Sequence, residues 1–160
     1  MDQFEDFFKE HYPTVRRALI LALGSTELAE DATQEAFVRA CVRWSRVRVM
    51  ERPAAWVYVT ATNNARDQFR RSQRQAVAQE RSSRPDLSLD DPAAAIARVD
   101  VVRALDALPP RQRLAVVLRY LGGLRNEEVA RAMKCSVGTV KSTVHTALAN
   151  LRVEFEEAAS

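Results

Sequence analysis

Hydrophobic side chains recur at spacings of three and four residues over most of the chain, which is the period of an α-helix that buries one face. One such stripe runs over residues 4–22 and ends near Gly24, a residue type that commonly ends helices. A second stripe follows Ser25 or Thr26, either of which can cap a helix. The pattern therefore predicts two long amphipathic helices. Their inward-facing positions are Phe4, Phe7, Phe8, Tyr12, Val15, Leu19, Ala22, Ala29, Ala32, Ala36, Phe37, Ala40, Cys41 and Trp44.

The helical period breaks after Trp44, and the segment SRVRVMERP at 45–53 predicts a basic loop. Pro53 suits the first turn of a third helix, which we expect to run to about Arg71. The stretch after that helix has no apolar stripe and is rich in Ser, Asp, Gln, Arg and Pro, so it cannot repay the entropy of ordering. We therefore predict two domains, residues 1–72 and 95–160, joined by a flexible linker at 73–94.

In the second domain, Pro109 and Pro110 separate a helix at 95–108 from the next helix, which ends before Gly122-Gly123. Asn126 is the expected cap of a short helix with the sequence EEVARAM, and Ser136 is the expected cap of the last helix. The predicted inward positions are Leu114, Val117, Leu118, Leu121, Val140, Val144, Leu148 and Leu151. The chain is thus predicted to be all-α, with three or four helices in the first domain and four in the second.

The last two helices are separated only by Lys134-Cys135, and Ala130 is small enough to let them cross closely. Such a pair constitutes a helix-turn-helix unit. The last helix presents hydroxyl, ammonium and imidazole groups outward, of the kind that reach base edges and phosphates in a major groove. Helical hairpins of this type also occur as plain packing units, so the pattern by itself leaves both interpretations open.

Composition and charge narrow the possible functions. Residues 46–84 carry nine basic and three acidic side chains, net +6, and residues 109–160 carry eight and five, net +3. The segments 1–45 and 85–108 are each net −3, and the whole chain is +3. Two separated basic surfaces suit a long polyanion such as DNA. The simpler interpretation is that these charges only solvate exposed helix faces.

Little in the sequence favours an enzyme. With four Gly there is no Gly-rich phosphate loop, and the two His are far apart without metal-ligand spacing. We expect no catalytic activity, no cofactor and no metal. Cys41 and Cys135 fall at helical apolar positions and are expected to be buried, reduced thiols. The N-terminus has no basic n-region, and no apolar run approaches about 20 residues, so we expect a soluble cytoplasmic protein that does not enter a membrane.

Three segments resemble a known family. Residues 104–152, ALDALPP through LANLR, closely resemble the C-terminal promoter-recognition domain of bacterial sigma factors. DATQEAFVRA at 31–40 and AAWVYVTATNNARDQFRR at 54–71 resemble two characteristic segments of their N-terminal domain. With only these two domains, the chain is similar to the extracytoplasmic-function (ECF) group of the sigma-70 family. The expected domains are therefore sigma2-like and sigma4-like.

The resemblance implies contacts with core RNA polymerase, at the clamp helices of the largest subunit and the flap of the second-largest. The residues that match the clamp-binding surface are Asp31, Gln34, Glu35 and Val38, which lie three or four apart on one helical strip, while Phe37 turns toward the core. An inhibitory anti-sigma partner is common in the group, but no segment of the chain identifies one.

The resemblance also implies that the loop after Trp44 and the third helix melt the promoter and hold its minus-ten element. Asn63 matches the position that contacts a base flipped from the stack, and its amide offers both a donor and an acceptor. Arg48, Arg52, Arg66, Arg70 and Arg71 are expected to contact phosphates, with Tyr58 as a further candidate. Trp56 and Tyr58 can be core residues or stacking platforms, and Val47 replaces an aromatic of some relatives.

For the minus-thirty-five element, the implied contacts are Arg119, Ser136, Thr139, Lys141, Ser142 and His145. Relatives usually carry Arg where this chain has Thr143 and Thr146, and often Gly where it has Lys134. Fewer guanidinium groups predict weaker or differently specified binding to DNA.

The expected function is that of an alternative sigma factor, which binds core polymerase and directs promoter-specific initiation. The main alternative is a stand-alone dimeric helix-turn-helix regulator that binds a palindrome. A third possibility is a helical adaptor that masks another sigma factor. The promoter sequence and the inducing stimulus cannot be obtained from the sequence.

Overall fold

The computed structural model describes residues 2–75 and 100–159, and every regular element within them is helical, which confirms the all-α prediction. The first region contains α1 (Asp2–Leu23), α2 (Thr26–Val42), α3 (Trp44–Val47) and α4 (Pro53–Gln75). The second contains α5, whose described part is 100–106, then α6 (Pro110–Val116), α7 (Asn126–Met133) and α8 (Val137–Ala159). A π-helical turn, Val117–Leu121, continues α6.

The expected helix ends are largely present. Gly24 ends α1 with a φ of +70°, in the left-handed region that glycine adopts without steric cost. The Oγ of Ser25 accepts a hydrogen bond from the Leu28 amide at 3.2 Å, so Ser25 rather than Thr26 caps α2. Pro53 is the first residue of α4, as predicted. The local capping chemistry of the sequence was therefore sufficient to locate these ends.

The segment between the domains is only partly described. Helix α4 continues to Gln75, four residues beyond its expected end. Residues 76–99, which include most of the predicted linker and the start of the helix predicted at 95–108, lie outside the described residues. The predicted basic loop contains the one-turn helix α3, whose last residue, Val47, is buried.

Two inward positions of the second domain were predicted wrongly. Leu121 is 51% exposed and Leu148 is 41% exposed, whereas Ala147 is fully buried. The π-helical turn explains the exposure of Leu121. Its hydrogen bond spans five residues where an α-helical bond spans four, and the extra residue rotates the positions that follow. Its bond is the Gly122 amide to the Val117 carbonyl, at 2.9 Å.

Two further expectations were wrong. Asn126 is the first residue of α7 rather than its cap, because Arg125 takes the cap position and donates its amide to Glu128 Oε1 at 2.7 Å. Cys41 is exposed, since it lies beyond the edge of the stripe by which α2 packs, and Cys135 is half-buried.

A single connected hydrophobic core runs through both regions. Helix α2 packs against α1 and α4, and α8 packs against α6 and α7. The two bundles also contact each other directly, because α4 packs on α7 while α1 packs on α6 and on the π-helical turn. The two regions therefore meet along an extensive interface.

Candidate nucleic-acid and polymerase interfaces

The outward face of α8 is accessible. Thr139, Lys141, Ser142 and His145 are all exposed, while Val140 is fully buried on the opposite side of the helix. Ser136 caps the helix as expected, because its Oγ accepts a hydrogen bond from the Thr139 amide at 3.1 Å. The packing of α8 thus presents these polar side chains on one surface, together with Thr146, which directly follows His145.

The turn before α8 contains a residue in a strained backbone conformation. Lys134 has φ 54° and ψ 51°, the left-handed conformation that glycine adopts more easily. The amide of Cys135 donates to the Ala130 carbonyl at 3.1 Å and closes the turn. Arg119, on the π-helical turn, is half-buried, and its guanidinium lies 5.5 Å from the centre of the Tyr120 ring. The structure therefore describes every predicted minus-thirty-five residue, and only Arg119 is partly covered.

The predicted minus-ten residues are presented less uniformly. Arg48, Arg70 and Arg71 are exposed, and Asn63 and Arg66 are half-buried. Tyr58 is only 3% exposed and belongs to the core between the two bundles, so in this arrangement it cannot contact DNA as expected. Burial raises the pKa of its phenol to about 12.

Several polar atoms on α4 are buried without a hydrogen-bond partner in the described part of the chain. They are Tyr58 Oη, Thr62 Oγ1, Asn63 Oδ1, Asn64 Nδ2 and Arg66 Nη1. An unpaired buried polar group costs about 1–3 kcal/mol. Burial, followed by the charges of Arg70 and Arg111, lowers the pKa of Arg66. One helix therefore concentrates hydrogen-bonding capacity that this arrangement leaves unused.

Arg52 is held by the second domain. Its Nε lies 2.9 Å from Oε2 and 3.1 Å from Oε1 of Glu128, and its Nη2 donates to the Gly123 carbonyl at 2.8 Å. Nearby, Arg125 and Glu51 form a weaker, exposed pair at 3.3 Å. Glu128 was not predicted as a site residue, because its partner Arg52 lies 76 positions away along the chain.

Arg113 forms a second contact between the domains. It is 7% exposed, donates from Nε to the Ala22 carbonyl at 3.1 Å, and pairs through Nη1 with Asp106 at 3.3 Å. A guanidinium at the last carbonyls of α1 also complements the negative end of the helix dipole. Arg113 was not predicted as a site residue either, because a single Arg in a helix is ordinarily solvated.

The predicted polymerase-binding strip lies on the outer face of α2. Asp31, Gln34 and Val38 are exposed, with Val38 at 62%, while Phe37 is buried among the aromatic rings of α1. Glu35 forms an exposed ion pair with Arg39 at 2.8 Å. The strip borders an open groove lined by Phe4, Phe8, Tyr12, Gln34, Phe37, Val38 and Cys41. Polar and apolar groups are therefore adjacent on one accessible surface.

Within residues 2–75 and 100–159, no group of three or more His, Cys, Asp or Glu side chains is placed to hold a metal ion. None of the helices described there combines the length and apolar character that crossing a membrane requires.

Both helical regions match known protein families. Residues 7–75 match the family described as Sigma-70 region 2, and residues 98–151 match Sigma-70, region 4. The chain is thus similar to the sigma-70 proteins in both of its helical bundles, in the order expected from the sequence motifs. Sigma factors are non-enzymatic transcription initiation factors.

Individual relatives extend this similarity over nearly the whole chain. The RNA polymerase sigma-E factor of Streptomyces avermitilis is 33% identical over 155 residues, covering 96% of this chain and 86% of that protein. The ECF RNA polymerase sigma factor SigL of Mycobacterium tuberculosis is 30% identical over 157 residues, covering 94% and 87%. Neither relative supports the alternative of a stand-alone dimeric regulator.

A solved structure shares the fold. The sigma factor RpoE of Bartonella quintana, determined in complex with the anti-sigma factor NepR, superposes with a TM-score of 0.75 at 23% identity, over 98% of each chain. This similarity confirms the fold, while the relatives and the two matched regions confirm the family expected from the sequence. The chain belongs to the extracytoplasmic-function group of the sigma-70 family.

Proposed function

We propose that this sigma factor docks on core RNA polymerase through the strip Asp31, Gln34, Glu35 and Val38 of α2. The proposal is supported by the exposure of the strip and by the anchoring of α2 through Phe37, which is 2% exposed. A rigid helix with alternating carboxylate, amide and apolar groups suits a partner helix, because residues three and four apart lie on one face. We place the strip against the clamp helices of the largest subunit, and the second domain at the flap of the second-largest subunit.

The second part of the proposal assigns α8 to the minus-thirty-five element. Lys141 and His145 are exposed without an ion pair in the described structure, and the hydroxyls of Thr139 and Ser142 lie on the same surface. A helix enters the major groove with such a face toward the base edges. Arg119 and the Ser136 cap, at the start of this surface, would contact the flanking phosphates.

The third part assigns α4 and the preceding loop to the minus-ten element. The observation that carries it is the unpartnered Oδ1 of Asn63, together with exposed Arg70 and Arg71 further along the same helix. A flipped base offers donors and acceptors to such an amide, while the cations contact the strand backbone. Arg48, Arg52 and Arg66 complete the cationic set, and Tyr58 would join it only if the two bundles separated.

A protein inhibitor is also part of the proposal. The Bartonella quintana structure contains a sigma factor bound to an anti-sigma factor, and the similarity of fold covers 98% of this chain. We therefore propose that an anti-sigma factor binds this protein. The cytoplasm is its proposed location, because the proposed function requires core RNA polymerase and promoter DNA.

The experiment that tests the function is run-off transcription with purified core polymerase on genomic fragments. Wild-type protein should co-elute with core polymerase and initiate at specific promoters. Asn63→Ala should lower initiation about tenfold or more, because a good base-edge contact contributes about 1–3 kcal/mol.

Gln68→Ala is the matched control, since it removes a half-buried amide from the same helix. It should leave initiation close to the wild-type level. Co-elution with core should be unchanged in both variants. Full initiation by Asn63→Ala would contradict the assignment of α4, and a failure of the wild-type protein to bind core would contradict the proposed function as a whole.

A further inference from the structure

The contact between Arg52 and Glu128 joins a proposed DNA-binding cation to the other domain. Arg52 engages both carboxylate oxygens of Glu128 through Nε, and it engages the Gly123 carbonyl through Nη2. Arg side chains bind phosphate groups in a similar way, with two oxygens close to one guanidinium. The second domain therefore supplies anionic and carbonyl oxygens where the proposed function requires DNA.

Glu128 is well fixed in this position. It is 5% exposed, and the amide of Arg125 donates to its Oε1 at 2.7 Å. Burial opposes its ionisation, but the Arg125 amide and the Arg52 guanidinium outweigh burial and lower the pKa of the carboxyl group. Glu128 is therefore a carboxylate at neutral pH, as an ion that competes for Arg52 must be.

A second observation concerns the face of α4 that is covered. Tyr58, Thr62 and Arg66 are spaced by four residues and therefore lie along one face of the helix. A Cβ placed on Gly122 would lie 3.4 Å from Cε1 of Tyr58, so the ring packs against the second domain, and Arg66 is influenced electrostatically by Arg111 of that domain.

All three side chains leave a buried polar atom without a partner among the described residues. Burial of unpaired polar groups opposes the contact, while Glu128 and the surrounding apolar core favour it. An interface of this kind is less stable than its buried area suggests, so binding of another ligand to the same face can displace it.

We propose that the second domain covers the part of the minus-ten surface around Arg52 and Tyr58 in the free protein, with the Glu128 carboxylate occupying the place of a DNA phosphate at Arg52. The contact is autoinhibitory, because Glu128 and DNA compete for one guanidinium. Separation of the domains frees Arg52 and exposes the unpaired polar groups of α4 to the nucleic acid. This inference rests on the proposed function.

The test compares Glu128→Gln with Glu127→Gln. Glutamine keeps the size of Glu128 and an oxygen that accepts from the Arg125 amide, but it removes the charge that holds Arg52. Glu127 lies in the same turn and is exposed, so its variant controls for the loss of one negative charge. Circular dichroism and thermal melting would establish that both variants remain folded.

The probe is a fluorescein-labelled fork DNA taken from a promoter that the wild-type holoenzyme uses, with binding to the free sigma factor measured by anisotropy. Glu128→Gln should bind about threefold to tenfold more tightly than Glu127→Gln, because the apparent affinity of a partly closed protein is reduced in proportion to the fraction of molecules that are open. Small-angle scattering should show a larger radius of gyration for Glu128→Gln alone.

The gain in affinity should disappear when Arg52→Gln is also present, because the guanidinium for which Glu128 and DNA compete is then absent. Equal affinity of the two Glu variants, or a gain that persists in the Arg52→Gln background, would overturn the inference while leaving the proposed function intact. If neither wild-type holoenzyme nor any variant initiates at a promoter, the proposed function itself fails.

Discussion

The two surfaces that we assign to promoter DNA are presented differently in one and the same molecule. The outward face of α8 is open from Thr139 to Thr146, apart from the half-buried Thr143. The corresponding face of α4 is covered, with Tyr58 buried and Arg52 paired to Glu128. The difference indicates that the helix-turn-helix can meet DNA as it stands, whereas the proposed minus-ten surface requires the two bundles to separate.

The two surfaces differ because α8 packs with one side only, whereas α4 packs with two. The inward side of α8 is apolar at Val140 and Val144, and its outward side is entirely polar near the turn, so one surface packs and the other remains free. Helix α4 packs on α2 with one side and on α7 with another. The contact of α4 with the second domain includes polar groups, because side chains that would contact DNA pack there against a protein surface.

The largest expected effect comes from Arg113→Ala, which removes the buried guanidinium between α6 and α1. The Ala22 carbonyl would lose its donor and a void would replace a buried side chain. We expect a loss of about 2 kcal/mol in the free energy of unfolding, since a buried group left unpaired costs about 1–3 kcal/mol. Urea denaturation followed by circular dichroism measures it.

Arg111→Ala is the control for this variant, because Arg111 is an exposed residue of the same helix. Its effect should stay within about 0.5 kcal/mol, as for most surface substitutions. Equal effects of the two variants would show that the contact between α6 and α1 does not stabilise the arrangement in which α4 is covered.

A second prediction concerns the open surface. Thr146→Arg adds a cation to an exposed position of α8, and we expect promoter binding by the holoenzyme to tighten about tenfold at low salt, with a steeper salt dependence by about 0.9 in the slope per added phosphate contact. The measurement is anisotropy over a range of salt concentrations. No opening of the domains is required for this gain.

The matched control for Thr146→Arg is Val153→Arg, which adds the same charge two turns further along the helix, where Val153 is 50% exposed. A smaller effect is expected there. An unchanged salt slope for Thr146→Arg would remove Thr146 from the DNA interface, and equal effects at both positions would indicate general attraction rather than a contact.

Much of the open surface could be predicted from sequence, because local rules determine it. The Ser136 cap and the outward polar positions of α8 follow from capping chemistry and helical period. The same rules placed Phe37 in the core and Asp31 and Gln34 outside.

The covered surface could not be predicted in this way. Glu128 and Arg113 are charged residues whose partners lie 76 and 91 positions away, and a local pattern contains no information about such pairs. The π-helical turn at Val117–Leu121 also disturbs the period on which the prediction depends, and it exposes Leu121. Helix locations could therefore be predicted from the sequence, whereas long-range ion pairs and irregularities within helices could not.

The smallest predicted effect is the most direct measure of the covered surface. Tyr58→Phe removes a buried hydroxyl that has no partner in the described structure and keeps the ring in its core position. Because an unpaired buried hydroxyl opposes folding, we expect the free energy of unfolding to rise by about 1 kcal/mol. For a chain of this length that corresponds to an increase of about 2–4 °C in Tm, which differential scanning calorimetry can resolve.

Tyr120→Phe is the control, since Tyr120 is 56% exposed and its hydroxyl can be hydrated. It should leave Tm nearly unchanged. If Tyr58→Phe stabilises the closed arrangement, it should also weaken binding of fork DNA by the free protein, and this loss should vanish in the Glu128→Gln background, in which the closed state is already released. A lower Tm for Tyr58→Phe would mean that the hydroxyl has a stabilising partner, and the covered face of α4 would then be a permanent interface rather than a displaceable one.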